Sequence, residues 1–219
     1  MTERKERPSF APLEPTEPVR SEDDSYRDYL LAHLRDHAYT RGRVTLASGK
    51  TSDFYIDCKK TILRVNMLRF AGRVMNRIIY NHFKPYSLQE QNVMAVAGTG
   101  VGGYPLAASV AIVSNYPHGP EKVGMDMVCV RSAKKDHGTK KLVEGAEHLP
   151  EGAGVVMVED VTTTGGSVLG AAQALREAGL KVRLVVTLVD RLEGARENLA
   201  EAGIPLISIF TREDFVPSA

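Results

Sequence analysis

Two carboxylates followed at once by hydroxyls and glycines stand in the stretch VVMVEDVTTTGGS, residues 155–167. An apolar run ends in Glu159 and Asp160, and Val161 leads into Thr162, Thr163, Thr164, Gly165, Gly166 and Ser167. Carboxylates accept hydrogen bonds from hydroxyl donors. A cluster of backbone N–H groups and hydroxyls at a helix start binds an anion, and the helix dipole adds to the attraction. The two halves together suit a ligand that carries a phosphate close to a pair of hydroxyls, as a phosphorylated ribose does. No Lys follows the glycines and acids precede them, which separates the stretch from the ATP-binding Walker A loop. An ordinary capped strand-to-helix turn is the alternative that this stretch alone leaves open.

Further groups with chemical potential lie on both sides of it. The run RSAKKDHGTKK, residues 131–141, collects Arg131, Lys134, Lys135, His137, Lys140 and Lys141. Such a run is commonly a solvated loop; beside an anion site it can stabilise negative charge growing on a departing group. GTGVGG satisfies GxGxxG through Gly98, Gly100 and Gly103. A dinucleotide fold would need an acid about 20 residues on, at a strand end, whereas Glu121 falls in a loop and Asp126 opens a strand. Arg191 in VDRLEGA follows a strand end and could pair bidentately with a ligand carboxylate or with nearby Glu193. Tyr55 in TLASGKTSDFYID is either a pocket contact or a core aromatic. Cys58 and Cys129 have no second Cys or His at metal-ligand spacing, and both read as reduced, buried thiols.

The surrounding pattern predicts the elements that must hold these groups. Tyr26, Tyr29, Leu30, His33 and Leu34 recur at helical spacing, giving a helix from Ser25 to about Ala38 with His33 and His37 on its surface. RVTLASGKTSDFYIDCKK reads as a strand pair around Ser48-Gly49-Lys50, followed by a long helix from about Thr61 to Phe83. Strands are expected at Val93 to Ala97, at Asp126 to Val130, at VVMVED and at KVRLVVTLVDR, with one helix from about Tyr104 and another after Ser167. In the latter, Val168, Ala171, Ala172, Leu175 and Ala178 share a face and Gly179 caps the end. Apolar strands separated by helices define an α/β class with a parallel sheet covered on both faces. Ligands of such sheets bind beyond the carboxyl ends of the strands, where Glu159 and Asp160 would project.

VVMVEDVTTTGGS resembles the signature of the type I phosphoribosyltransferases, which bind 5-phosphoribosyl 1-diphosphate (PRPP) at this loop. RSAKKDHGTKKLVEG resembles the catalytic loop of the orotate phosphoribosyltransferases, and TLASGKTSDFYID and VDRLEGA resemble their base-pocket segments. The resemblance runs in order from about Ser25 to Phe210. It implies a central parallel sheet flanked by helices with a small N-terminal hood, formed largely by residues 25–60 of a domain spanning 25–219. It also implies transfer of the phosphoribosyl group from PRPP to orotate, giving orotidine 5-phosphate and pyrophosphate. Arg131, Lys135 and His137 would be catalytic. PRPP contacts would come from Arg131, Lys134, Lys135, His137, Glu159, Asp160 and residues Val161 to Ser167, and orotate contacts from Thr163, Arg191 and Tyr55. The family further implies a homodimer whose basic loop reaches the partner's site. Mg²⁺ would be held mainly through PRPP, with no direct protein ligand. In three places the sequence departs from the family: Ser132 stands where Lys usually follows the Arg, with Lys134 the candidate substitute; Ala47 replaces a Lys that some members carry; and Val101-Gly102-Gly103 offers no Lys in the pyrophosphate loop.

Composition limits the remaining possibilities. The 219 residues, 43% hydrophobic and 25% charged, suffice for one globular domain with a sizeable core. A net charge of +1 gives no global field toward nucleic acid or anionic membrane, so any anion site is local. Residues 1–24 hold Pro8, Pro12, Pro15 and Pro18 among charges and are expected to be a disordered tail. That start has no apolar core of a signal peptide, and no run is long enough to span a bilayer, so a cytoplasmic protein is expected. Transfer to another nucleobase, or PRPP sensing without catalysis, remains open; Arg191 speaks for a base with a carboxylate, and Lys135 and His137 speak for catalysis.

Overall fold

The computed structural model describes residues 22–45, 51–115, 124–131 and 141–216. Helix α1 (Glu22–His33) starts before the expected Ser25 and passes into a single π-helical turn, Leu34–Ala38. Residues 22–24, expected in the tail, are therefore helical. The rest of the expected tail lies outside the described residues. Strands β1 (Tyr39–Thr45) and β2 (Thr51–Ile56) pair antiparallel, with Tyr39 opposite Ile56. The expected turn at Ser48-Gly49-Lys50 lies outside the described residues. The long helix expected next is two helices, α2 (Lys59–Ile62) and α3 (Val65–Phe83), because Arg64 turns to an extended conformation before α3. Thr61 and Ile62 are fully buried and anchor α2 in place, while α3 buries Ala71, Val74, Met75 and Ile79 along one stripe.

The main sheet comprises β3 (Val93–Thr99), β4 (Asp126–Val130), β5 (Val143–Glu144), β6 (Gly154–Thr162), β7 (Lys181–Asp190) and β8 (Leu206–Thr211). Their order is β5-β4-β3-β6-β7-β8, parallel except for the antiparallel edge strand β5. Neither β5 nor β8 was expected from the pattern. Helix α4 (Gly100–Ser114) begins directly at the glycines, ahead of the expected Tyr104, and α5 (Gly166–Glu177) and α6 (Ala195–Glu201) complete the layers. Alternate strand residues serve opposite faces: Val96, Val156, Val158, Leu184 and Val186 join a core with residues of α1, β2, α3 and α4. Ala95, Ala97, Val155, Met157 and Val185 meet α5 and α6 on the other side. On α5, Val168, Ala171, Ala172 and Leu175 are buried as expected, but Ala178 is an exposed cap and Ala174 fills its place. Gly179 takes the left-handed conformation (φ 81°) that ends the turn. Among the described residues no helix is long and apolar enough to cross a membrane.

The chain leaves β3 for β4 on one side and comes back to β6 on the other. The connection reverses between β3 and β6, and a crevice at their carboxyl ends is the expected ligand position in such a sheet.

Candidate active site

That crevice is a cleft of about 500 Å³ lined by Lys59, Thr99 to Gly102, Glu159 to Ser167 and Val168. Every residue of the acid-and-hydroxyl stretch is brought into one wall. Parallel pairing aligns Gly98 with Val158, so Thr99 and Glu159 leave the sheet side by side, and the Thr99 hydroxyl donates to Glu159 Oε2 at 3.0 Å. The Asp160 N–H donates to Glu159 Oε1 at 3.1 Å, and the Val161 N–H to Asp160 Oδ1 at 3.0 Å. Glu159 is 8% exposed. Burial, then the hydrogen bond and charge of Asp160, push its carboxyl up to about 8, against the opposing donors from Asp160 N–H and Thr99. The acid pair therefore holds a proton near neutrality, and Asp160 is the more exposed member.

The loop beyond the acids is held from outside the cleft. Thr162 pairs with Asp190 in the β6–β7 register, and its buried hydroxyl donates to Asp190 Oδ1 at 3.3 Å instead of facing a ligand. The same Asp190 oxygen accepts the Leu192 N–H at 3.0 Å, while Asn198 of α6 donates to the Thr164 carbonyl at 2.9 Å. Gly165 adopts φ 79° and caps α5 without a side-chain hydrogen bond. The N–H groups of Gly166, Ser167 and Val168 form the first turn of α5, where the helix supplies no acceptor, so this end can take an anion. Thr163, Thr164 and Ser167 surround it.

In GTGVGG, Gly98 and Gly103 meet backbone to backbone, and Gly103 also approaches the Val158 carbonyl. A Cβ on Gly102 would fall on the Asp160 carboxylate. These three glycines thus let α4 descend onto β3 and β6. Gly100, with φ 56° and open space around it, is the one placed for approach to a ligand.

The remaining described candidates, Arg131, Arg191 and Tyr55, are not among the residues that line the cleft. Arg131 follows β4, the strand beside β3, and pairs with Glu144 at 3.6 Å. Lys134, Lys135 and His137 lie outside the described residues. Arg191, with its side chain 13% exposed, pairs with Glu193 at 2.7 Å and lies 5.8 Å from the centre of the Phe54 ring. Its N–H donates to the Thr162 carbonyl, tying it to the cleft wall. Leu192 beside it has φ 57°, a strained conformation for a branched side chain. Phe54 takes the core position of β2, packed against Tyr39 and Phe215, so Tyr55 points to the other face and is half-buried. His33 bonds Thr61 through Nδ1 at 3.0 Å and His37 is exposed. Cys58 is buried and Cys129 half-buried, both unpaired thiols.

Lys59, Thr99 and Asp190 escaped the sequence reading. DCKK offers no signal separating Lys59 from Lys60, and only the fold carries the start of α2 to the cleft. Among the described residues no cluster of three or more His, Cys, Asp or Glu could hold a metal ion.

Fold and site define an α/β protein whose switch-point cleft joins an acid pair to a helix start open to an anion. The family model for the phosphoribosyl transferase domain matches residues 68–204. The chain is 42% identical over 193 residues to an orotate phosphoribosyltransferase of Sorangium cellulosum, covering 88% of this chain and 94% of that protein. It is 41% identical over 170 residues to the orotate phosphoribosyltransferase of Methanocaldococcus jannaschii, covering 78% and 85%. The crystal structure of Mycobacterium tuberculosis orotate phosphoribosyltransferase in complex with PRPP superposes with a TM-score of 0.65 at 28% identity, covering 87% of this chain and 98% of that one. The chain belongs to the orotate phosphoribosyltransferase family.

Proposed function

We infer that the protein transfers the phosphoribosyl group of PRPP to orotate, giving orotidine 5-phosphate and pyrophosphate in pyrimidine synthesis. The observation that carries this reading is the single cleft that combines the acid pair with an uncapped helix start. The α5 N–H groups, with Thr163, Thr164, Gly165, Gly166 and Ser167, take the 5-phosphate. Glu159 and Asp160 accept the ribose hydroxyls and fix the sugar relative to the attacking base. As the bond from the anomeric carbon to pyrophosphate breaks, orotate N1 attacks the oxocarbenium-like carbon. Arg131, Lys134, Lys135 and His137 stabilise the charge that develops on the leaving group.

Arg191 recognises the orotate carboxylate by exchanging its Glu193 partner for the ligand, with Thr163 and Tyr55 as further base contacts. PRPP would carry Mg²⁺, with no direct protein ligand, and the ion would supply charge neutralisation of the diphosphate. Asp160, partly exposed in the cleft, would be the group to contact it through water. A homodimer with shared sites and a cytoplasmic location belong to the same proposal.

Incubation with PRPP, orotate and Mg²⁺, followed by mass spectrometry for orotidine 5-phosphate, tests the reading. Product formation is expected. PRPP binding without product would instead make the protein a non-catalytic PRPP-binding regulator.

A further inference from the structure

We propose that Lys59 binds the diphosphate of PRPP and the pyrophosphate product, supplying from α2 the cation that the Thr99–Gly102 segment lacks. This rests on the phosphoribosyltransferase reading above and assigns a residue to it. Among the described residues lining the cleft, the ionisable side chains are Glu159, Asp160 and Lys59. A cleft wall whose acid pair bears a negative charge disfavours a diphosphate, so the one ammonium among its described lining residues has a defined task.

The position favours the diphosphate end over the 5-phosphate end. Helix α2 packs against α4, the helix that Gly100 opens, whereas the 5-phosphate end is built on α5. The backbone under Lys59 is fixed by Cys58, Thr61 and Ile62, all fully buried. The side chain itself is 45% exposed, and its Nζ is held by Asp57 Oδ1 at 2.8 Å. An ammonium has three donors; one serves Asp57 and two remain for phosphate oxygens. The Asp57 hydrogen bond raises the Lys59 pKa despite partial burial, and the charges of Asp57 and Asp160 add to it, so the cation persists throughout the neutral range. Asp57 is correspondingly lowered by the same pair.

Calorimetric titration of pyrophosphate and, separately, of ribose 5-phosphate, each with Mg²⁺, against wild type, Lys59→Gln and Lys59→Arg tests this. Lys59→Gln should weaken pyrophosphate binding by about tenfold to a hundredfold, the range for a charge-assisted hydrogen bond. Ribose 5-phosphate should change by less than about twofold, and Lys59→Arg should restore pyrophosphate affinity to within about threefold of wild type. Unchanged pyrophosphate binding by Lys59→Gln, or equal weakening of both ligands, would overturn the assignment while the function stands. A wild-type protein that binds neither ligand would overturn both.

Discussion

Glu159→Gln isolates the proton held by the acid pair. In the folded protein the Glu159 carboxyl is raised from 4.5 to about 8, chiefly by burial. The group keeps its proton in the native state while the unfolded chain releases it. Its contribution to stability is therefore fully present below the ordinary carboxylate range and is lost as pH rises to about 8. Across that window the stability should fall by about 1.4 kcal/mol per pH unit. The ceiling is about 4–5 kcal/mol, reduced by whatever water the open cleft admits. Glutamine reproduces the neutral acid: its oxygen accepts, its amide donates toward Asp160, and the Thr99 hydroxyl can rotate to suit either. The assay is urea unfolding of both proteins from about pH 5 to about pH 9, where titrations common to the two cancel. Glu159→Gln should match wild type at the acid end and become progressively more stable toward the alkaline end. Parallel profiles would show that Glu159 is ionised in the native protein, and the shared-proton account would fall.

Asp160→Asn should lower PRPP turnover sharply with little change in melting temperature, because a half-exposed cleft carboxylate adds little to the core; a lowered melting temperature with full turnover would assign it to structure. Gly102→Ala should reduce kcat/KM for PRPP by more than about tenfold, since the new methyl must displace the Asp160 carboxylate; a fully active variant would show that the contact can relax. Arg191→Ala should raise KM for orotate well above any effect on KM for PRPP, by about 2–3 kcal/mol of lost carboxylate pairing less what Glu193 gives up; equal effects on both would remove Arg191 as the specificity residue.

The parts of the fold legible in the sequence were those with dense apolar runs. VVMVED and KVRLVVTLVD are buried on both faces, and no surface helix has that continuity, so β6 and β7 and their parallel relation followed from pattern alone. The start of α4 was misjudged because its first turn, GVGG, carries low helix propensity that close packing on β3 and β6 overrides. The break between α2 and α3 was hidden by an apolar pattern that continues across Arg64. In the site, Glu159 to Ser167 could be read because they are consecutive. Lys59, Thr99 and Asp190 could not, since each gains its role from a neighbour supplied by another element: Asp57 and the cleft for Lys59, Glu159 for Thr99, and Thr162 for Asp190. Thr162 shows the converse, a hydroxyl of the right type that the β6–β7 register turns toward Asp190.

The central claim, transfer to a base that carries a carboxylate, is tested most directly by pyrophosphate release from PRPP with orotate, uracil and adenine offered separately. Release with orotate alone, and its loss of selectivity over uracil in Arg191→Ala, is the predicted result. Release that is equal with uracil, or that requires adenine, would contradict the account.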